Sequence, residues 1–158
     1  MNTTDVTTGG YKGSEMWTTT IPLYVTAIQN AFGSTHILSH RELLTKSIST
    51  TIASGAGAGR VGCSNDWEWT SVLVNLFNEN MVYGGEVLAS SFFDVGECNS
   101  QVSLMQLDKS TSFSRAGRYW LRSVSSSTNF CSVGIDGAAA ATIASTSTGL
   151  VHPYFLLQ

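Results

Sequence analysis

Charge is scarce in this sequence. Asp, Glu, Lys and Arg together make up 12% of its 158 residues, about half the roughly 25% usual in globular domains. The surface must then be covered with Ser, Thr, Asn and Gly, a composition that suits extracellular or particle-borne proteins. The eight Lys and Arg residues are scattered and the formal net charge is −3, so the basic footprint of a nucleic-acid binder is missing. No apolar run reaches the roughly 18 residues of a membrane span, and Met1-Asn2-Thr3-Thr4-Asp5 carries no signal-peptide pattern. Membrane insertion is not expected, and the chain is expected to be the C-terminal part of a longer protein. Cys63, Cys98 and Cys131 form no CxxC pair, which fits neither a zinc ribbon nor a disulfide framework. Three unpaired thiols are expected, with one disulfide and one free thiol as the alternative.

What is present is an ordinary apolar share, 42%, enough for one domain over residues 1–158 and too little chain for two. Disorder would need low hydrophobicity and high net charge, and neither occurs. After a Thr/Gly-rich entry, Thr20-Ile21-Pro22 reads as a helix start. Ile21, Tyr24, Val25, Ile28 and Phe32 recur at helical spacing up to Gly33. Ser39 and Glu42 form a capping-box pattern, which predicts a second helix. Trp69, Val72, Leu73, Leu76 and Phe77 share a face at 3.6-residue spacing, which predicts a third, ending before Gly84-Gly85. From Glu86 onward short apolar segments alternate with turn residues: Val87-Leu88, Phe92-Phe93, Val102 to Leu107, then Tyr119-Trp120-Leu121-Arg122. These predict strands. Helices first and strands afterwards indicate an α+β fold.

Catalytic and metal constellations are weak. His36 and His40 are four apart with Glu42 nearby, but His36 precedes the Ser39 cap, so the pair shares no helix face and no metal site is expected. Gly55 to Arg60 lacks the GK[ST] ending of a phosphate loop and reads as a surface loop. There is no GxSxG elbow and no His placed to activate a cysteine. Asp94, Glu97, Asp108 and Asp136 lie in turn-like sequence, where acids are usually solvated. No enzyme activity and no cofactor are expected.

Residues 123–149 stand apart, because they contain no Lys, Glu, Gln, Met or Trp. Phe130, Val133 and Ile143 punctuate the stretch and apolar segments flank it, which argues against a linker. Tyr119-Trp120-Leu121-Arg122-Ser123, Phe130-x-x-Val133, Gly137, Gly149 and Pro153-Tyr154-Phe155 follow in order. Upstream come Gly9-Gly10-Tyr11, Ile21-Pro22, Phe32-Gly33, His36-Ile37-Leu38-Ser39-His40-Arg41-Glu42 and Asn78-Glu79-Asn80-Met81-Val82-Tyr83-Gly84. Together these resemble a domain family of low-GC Gram-positive bacteria and their phages whose pattern runs YWLR(S/D), F-x-x-V, G and a final GVRPxF. Two places depart from it. Gly149-Leu150-Val151-His152-Pro153 is one residue longer than GVRP and has His152 for Arg, and the loop from Gly55 to Cys63 is longer than usual.

The family is similar to the variable proteins of diversity-generating retroelements, in which miscopied template adenines exclude those same five residue types. The resemblance implies a C-type-lectin-like fold, with helices in the N-terminal half and a twisted, mainly antiparallel sheet in the C-terminal half. It implies a non-catalytic binding or display domain of a phage structural protein, at the tip of a tail or capsid fibre, for host-surface attachment. Its partners would be a host cell-surface protein or glycan and other virion proteins, and the domain would be a homo-oligomer, by analogy a trimer. A decoration or capping domain of the virion, or a bacterial lectin-like adhesin, are the alternatives. Alternation and family position put Asn129, Cys131, Ser132, Gly134, Ile135, Asp136, Ala138, Ala140, Ala141 and Thr146 on the variable, ligand-binding face. Trp120, Arg122, Phe130, Val133, Gly149 and Pro153 are expected as framework, with Arg122 an internal clamp on carbonyls or a carboxylate.

Overall fold

The computed structural model describes residues 1–48, 66–89, 99–107 and 117–158. Cys63, Cys98, Phe92-Phe93, the run Gly55 to Arg60, Asp94, Glu97 and Asp108 lie outside the described residues. The architecture is mixed α+β, with a few helices and several antiparallel sheets.

A single π-turn (Met16–Thr20) runs straight into helix α1 (Ile21–Phe32). The helix occupies the residues its periodicity marks out. Thr20 makes no side-chain cap, because it is itself in helical conformation, and Gly33 closes the helix at φ +88°, ψ +135°. The ψ takes Gly33 out of the left-handed helical region, while the positive φ still favours glycine.

The other two expected helices are strands. His40–Ser47 forms β2 and Asp66–Val72 forms β3, an antiparallel pair running from His40↔Val72 to Ser47↔Asp66. Glu42 is buried as a strand residue and caps nothing. In Trp67-Glu68-Trp69-Thr70 the period of two wins over the period of 3.6, because a paired strand buries one row while leaving both tryptophans outside. The remaining residues of the expected third helix form β4 (Val74–Leu76) and the turn after it.

Helix α2 (Glu79–Tyr83) follows, capped by Asn78, whose side chain accepts from the Met81 amide at 2.8 Å. The expected strand from Val102 to Leu107 is instead helix α3 (Ser103–Leu107), with Met105 packed inward. Strands β5 (Tyr119–Val124), β6 (Asn129–Val133) and β7 (Ala139–Ile143) form one antiparallel sheet in chain order. The last strand, β8 (Pro153–Leu157), lies between β1 (Ile37–Leu38) and β4. Pro153 opens β8, a strand position proline tolerates.

The sheet β5–β6–β7 lies between two apolar clusters. Trp120, Val124 and Phe130 face the first, with Tyr11, Met16, Ile21, Leu44, Val72 and Leu76. Tyr119, Leu121, Cys131 and Val133 face the second, with Phe77, Met81, Val82 and Met105. Phe130 and Val133, three apart on one strand, therefore serve opposite cores.

The indole of Trp120 is 1% exposed and rests on Gly149. A Cβ at Gly149 would come within 2.6 Å of Trp120 Cε2, so this glycine is required by close approach. Gly149→Ala is expected to cost about 1–3 kcal/mol by overpacking, read as a lowered melting temperature in circular dichroism. An unchanged transition would show that the indole can move aside freely.

Candidate functional site

The β6–β7 hairpin is the part of the expected face that reaches solvent. Its turn is closed by Gly134 N–H donating to the Ala138 carbonyl at 2.8 Å and by Gly137 N–H donating to the Gly134 carbonyl at 3.0 Å. Gly137 sits at φ +80°, a conformation that favours glycine. The Ala138 amide donates to Asp136 Oδ1 at 3.1 Å, an Asx-type turn contact. From α2, the Tyr83 hydroxyl donates to the Gly137 carbonyl at 3.1 Å and fixes the hairpin to the second core. Burial pushes the Tyr83 phenol above its ordinary value, with the neighbouring Tyr119, Glu79, Asp136 and Cys131 adding to the effect. It stays a neutral donor throughout the physiological range.

Beside this turn lies an open cleft of about 510 Å³, lined by Gly117, Arg118, Gly134, Ile135, Asp136 and Thr148. Ile135 is 65% exposed. Arg118 reaches back to the sheet, its Nη1 donating to Thr142 Oγ1 at 3.1 Å. Thr142 Oγ1 and Ser132 Oγ are 2.7 Å apart. The cleft thus combines a cationic lip, a carboxylate and one large apolar side chain on a braced hairpin.

The ten residues expected on one face do not share one surface. Gly134, Ile135 and Asp136 line the cleft, and Ala138 and Ala141 are exposed beside it. Ala140 is half-buried. Cys131 and Ser132 are fully buried, which corrects their expected exposure. Alternation turns a residue away from one core, but here the opposite side of β6 is a second core. Cys131 packs among Phe77, Leu121 and Val133, and Ser132 is paired with Thr142 and opposite Trp120. Asn129 and Thr146 are half-buried at the far end of the hairpin, about 14 Å from the turn at ~3.4 Å per strand residue. There the N-terminal segment lies against them: Asn2 N–H donates to the Ala144 carbonyl and Thr7 N–H to the Ser127 carbonyl. Arg118, Thr148 and Tyr83 are site residues that sequence reasoning missed. Arg118 lies immediately before the YWLR strand and could have been found as its flank.

Behind the hairpin the framework is held by one buried polar network. Arg122 is 6% exposed, and its Nη2 donates to Glu42 Oε2 at 2.7 Å and to Asn99 Oδ1 at 3.0 Å. Tyr154 donates its hydroxyl to Glu42 Oε1, and His40 Nε2 lies 3.4 Å from the same oxygen. Burial alone would push the Glu42 carboxyl up. Arg122, the Tyr154 hydroxyl and His40 more than offset that, so the carboxyl lies below its ordinary 4.5. Burial, with the adjoining carboxylate, raises Tyr154. The network ties β2, β5 and β8 together. A second buried carboxylate, Glu79, accepts from the amides of Val87, Leu88 and Ala89 at 2.7–3.1 Å and anchors that segment to α2.

Among the described residues no three His, Cys, Asp or Glu side chains are grouped to hold a metal ion, and no helix is long and apolar enough to cross a membrane. Comparison with family models, curated proteins and solved structures gives no match.

Proposed function

We propose that this chain is a non-catalytic, C-type-lectin-like display domain that presents its β6–β7 turn and the adjoining cleft to a host-surface receptor, as part of an external phage fibre. The receptor would be a cell-surface protein or glycan. Trimeric display would raise a weak site to useful avidity. One observation carries the reading: the stretch depleted in five residue types has a framework buried on both faces and a turn that reaches solvent. Ile135 and Asp136 are exposed while Phe130, Cys131, Ser132 and Val133 are at 0%. A surface built to change needs a backbone that does not.

The turn also favours a second reading. Ala138 and Ala141 are small, and among the described residues no Trp or Tyr lines the cleft. The aromatic anchors of strong hot spots are therefore missing there, and Arg118 is the one hot-spot residue type that lines it. A virion decoration domain without a receptor fits that blandness.

Randomising Ile135, Ala138 and Ala141 is expected to leave stability within about 0.5 kcal/mol, as surface changes usually do, while altering adhesion to a panel of bacteria. Circular dichroism and cell pull-down check the two halves. Widespread failure to fold would end the display reading, and unchanged adhesion across folded variants would replace it with decoration.

A further inference from the structure

The outer face of the β2–β3 ribbon is a different surface, on the other side of the sequence from the hairpin. Trp67 and Trp69 are 41% and 54% exposed, although tryptophan is ordinarily largely buried. Two apart on one strand, they stand in a single row about 7 Å apart. Their cross-strand partners are Thr45 and Leu43, and Arg41 stands opposite exposed Ser71 at the end of the row. The Arg41 guanidinium lies 5.5 Å from the centre of the Trp69 ring, a cation–π arrangement. Among the described residues it has no carboxylate partner. The one acid between the tryptophans, Glu68, points to the opposite side of the ribbon and is paired there with Lys12 and Lys46. The row is therefore aromatic and polar-edged, with one positive charge that no carboxylate among the described residues answers.

We propose that this row binds an acidic polysaccharide, independently of the hairpin site. The C–H faces of successive sugar rings lie on Trp67 and Trp69, and a uronate carboxylate is held by the Arg41 fork, with Ser71 taking a hydroxyl. A neutral glycan leaves the Arg41 charge unanswered. Single-stranded nucleic acid also stacks on aromatic side chains, but it needs cations tracking its phosphates. This row offers one, in a chain of net charge −3.

The test uses the full chain with polygalacturonate, alginate and hyaluronate, with dextran and a single-stranded oligonucleotide alongside. Binding is read by affinity electrophoresis and by protection of tryptophan fluorescence from iodide quenching. At least one uronate polymer is expected to retard the protein and shield its indoles, and added salt should weaken the complex. Trp67→Ala and Trp69→Ala should each weaken it about tenfold or more, as loss of an interface anchor does. Arg41→Gln should weaken uronate binding and flatten its salt dependence. Arg41 is exposed, so this variant tests the site even where a tryptophan variant unfolds. The proposal is overturned by no retention on any uronate polymer, by equal retention on dextran, by tighter binding of the oligonucleotide, or by uronate binding that survives Arg41→Gln. A concentration-dependent dimer that Trp69→Ala dissociates would likewise overturn it, assigning the row to a second copy of the chain.

Discussion

Trp120→Ala is expected to lower the stability of this protein by about 3–5 kcal/mol, the range for emptying a large aromatic site in a core. Trp120 is 1% exposed, in a cluster with Tyr11, Met16, Ile21, Leu44, Val124 and Phe130. Its amide donates to the Leu150 carbonyl at 3.1 Å, and its ring fills the space that Gly149 leaves open. Removing it frees contacts on β5, on α1 and on the chain entering β8 at once. For a domain of this size each kcal/mol moves the melting temperature by about 2–4 °C, so a drop of roughly 6–20 °C should appear in thermal denaturation. A variant melting with the parent would show that the indole is not part of the core.

Arg122→Met is expected to cost a similar amount at neutral pH, about 3–5 kcal/mol, for an electrostatic reason. The thioether fills much of the volume but leaves Glu42 charged at 4% exposure with its strongest partner gone. The pH dependence separates this from simple loss of packing. In the parent, Glu42 titrates below its ordinary 4.5. Its contribution is therefore complete above that value and is lost as pH falls through the lower folded value. Without Arg122 the burial that pushes the carboxyl up is less opposed, the carboxyl rises, and protonation relieves the variant. The gap between parent and variant in urea denaturation should narrow from pH 7 to pH 3. A gap that stays constant would mean that Arg122 acts through its methylenes alone.

The local signals in the sequence were reliable where one period stood uncontested. Helix α1 covers Ile21–Phe32, and the strand at Tyr119–Val124 carries a buried Trp120 and an Arg122 held by a carboxylate. They misled where two readings fitted the same letters. Ser39 and Glu42 have the spacing of a capping box, yet the partner of Glu42 is Arg122, 80 residues away. Nothing local to either residue marks that pairing. Trp69, Val72, Leu73 and Leu76 fit a helical stripe, and only the facing strands, β2 for Trp69 and Val72 and β8 for Leu76, decide for extended chain. The proposed binding face is legible at its turn, where Ile135 and Asp136 are exposed and line the cleft with Gly134. It was not legible along β6, because alternation cannot tell solvent from a second core. Cys131 and Ser132 carry that error.

That second core has a consequence for how the protein comes apart. Because β6 is wetted on neither face, neither apolar cluster can open without stripping one side of the same strand. Arg122 and Glu42 further couple its neighbour β5 to β2 in the adjoining ribbon. The two clusters are therefore expected to unfold together, with near-UV and far-UV circular dichroism transitions that coincide. Such a lattice confines tolerated variation to its rim. Substitution is expected to be borne at exposed turn positions such as Ile135 and Ala138, and resisted at Gly137 and along the strand that carries the turn.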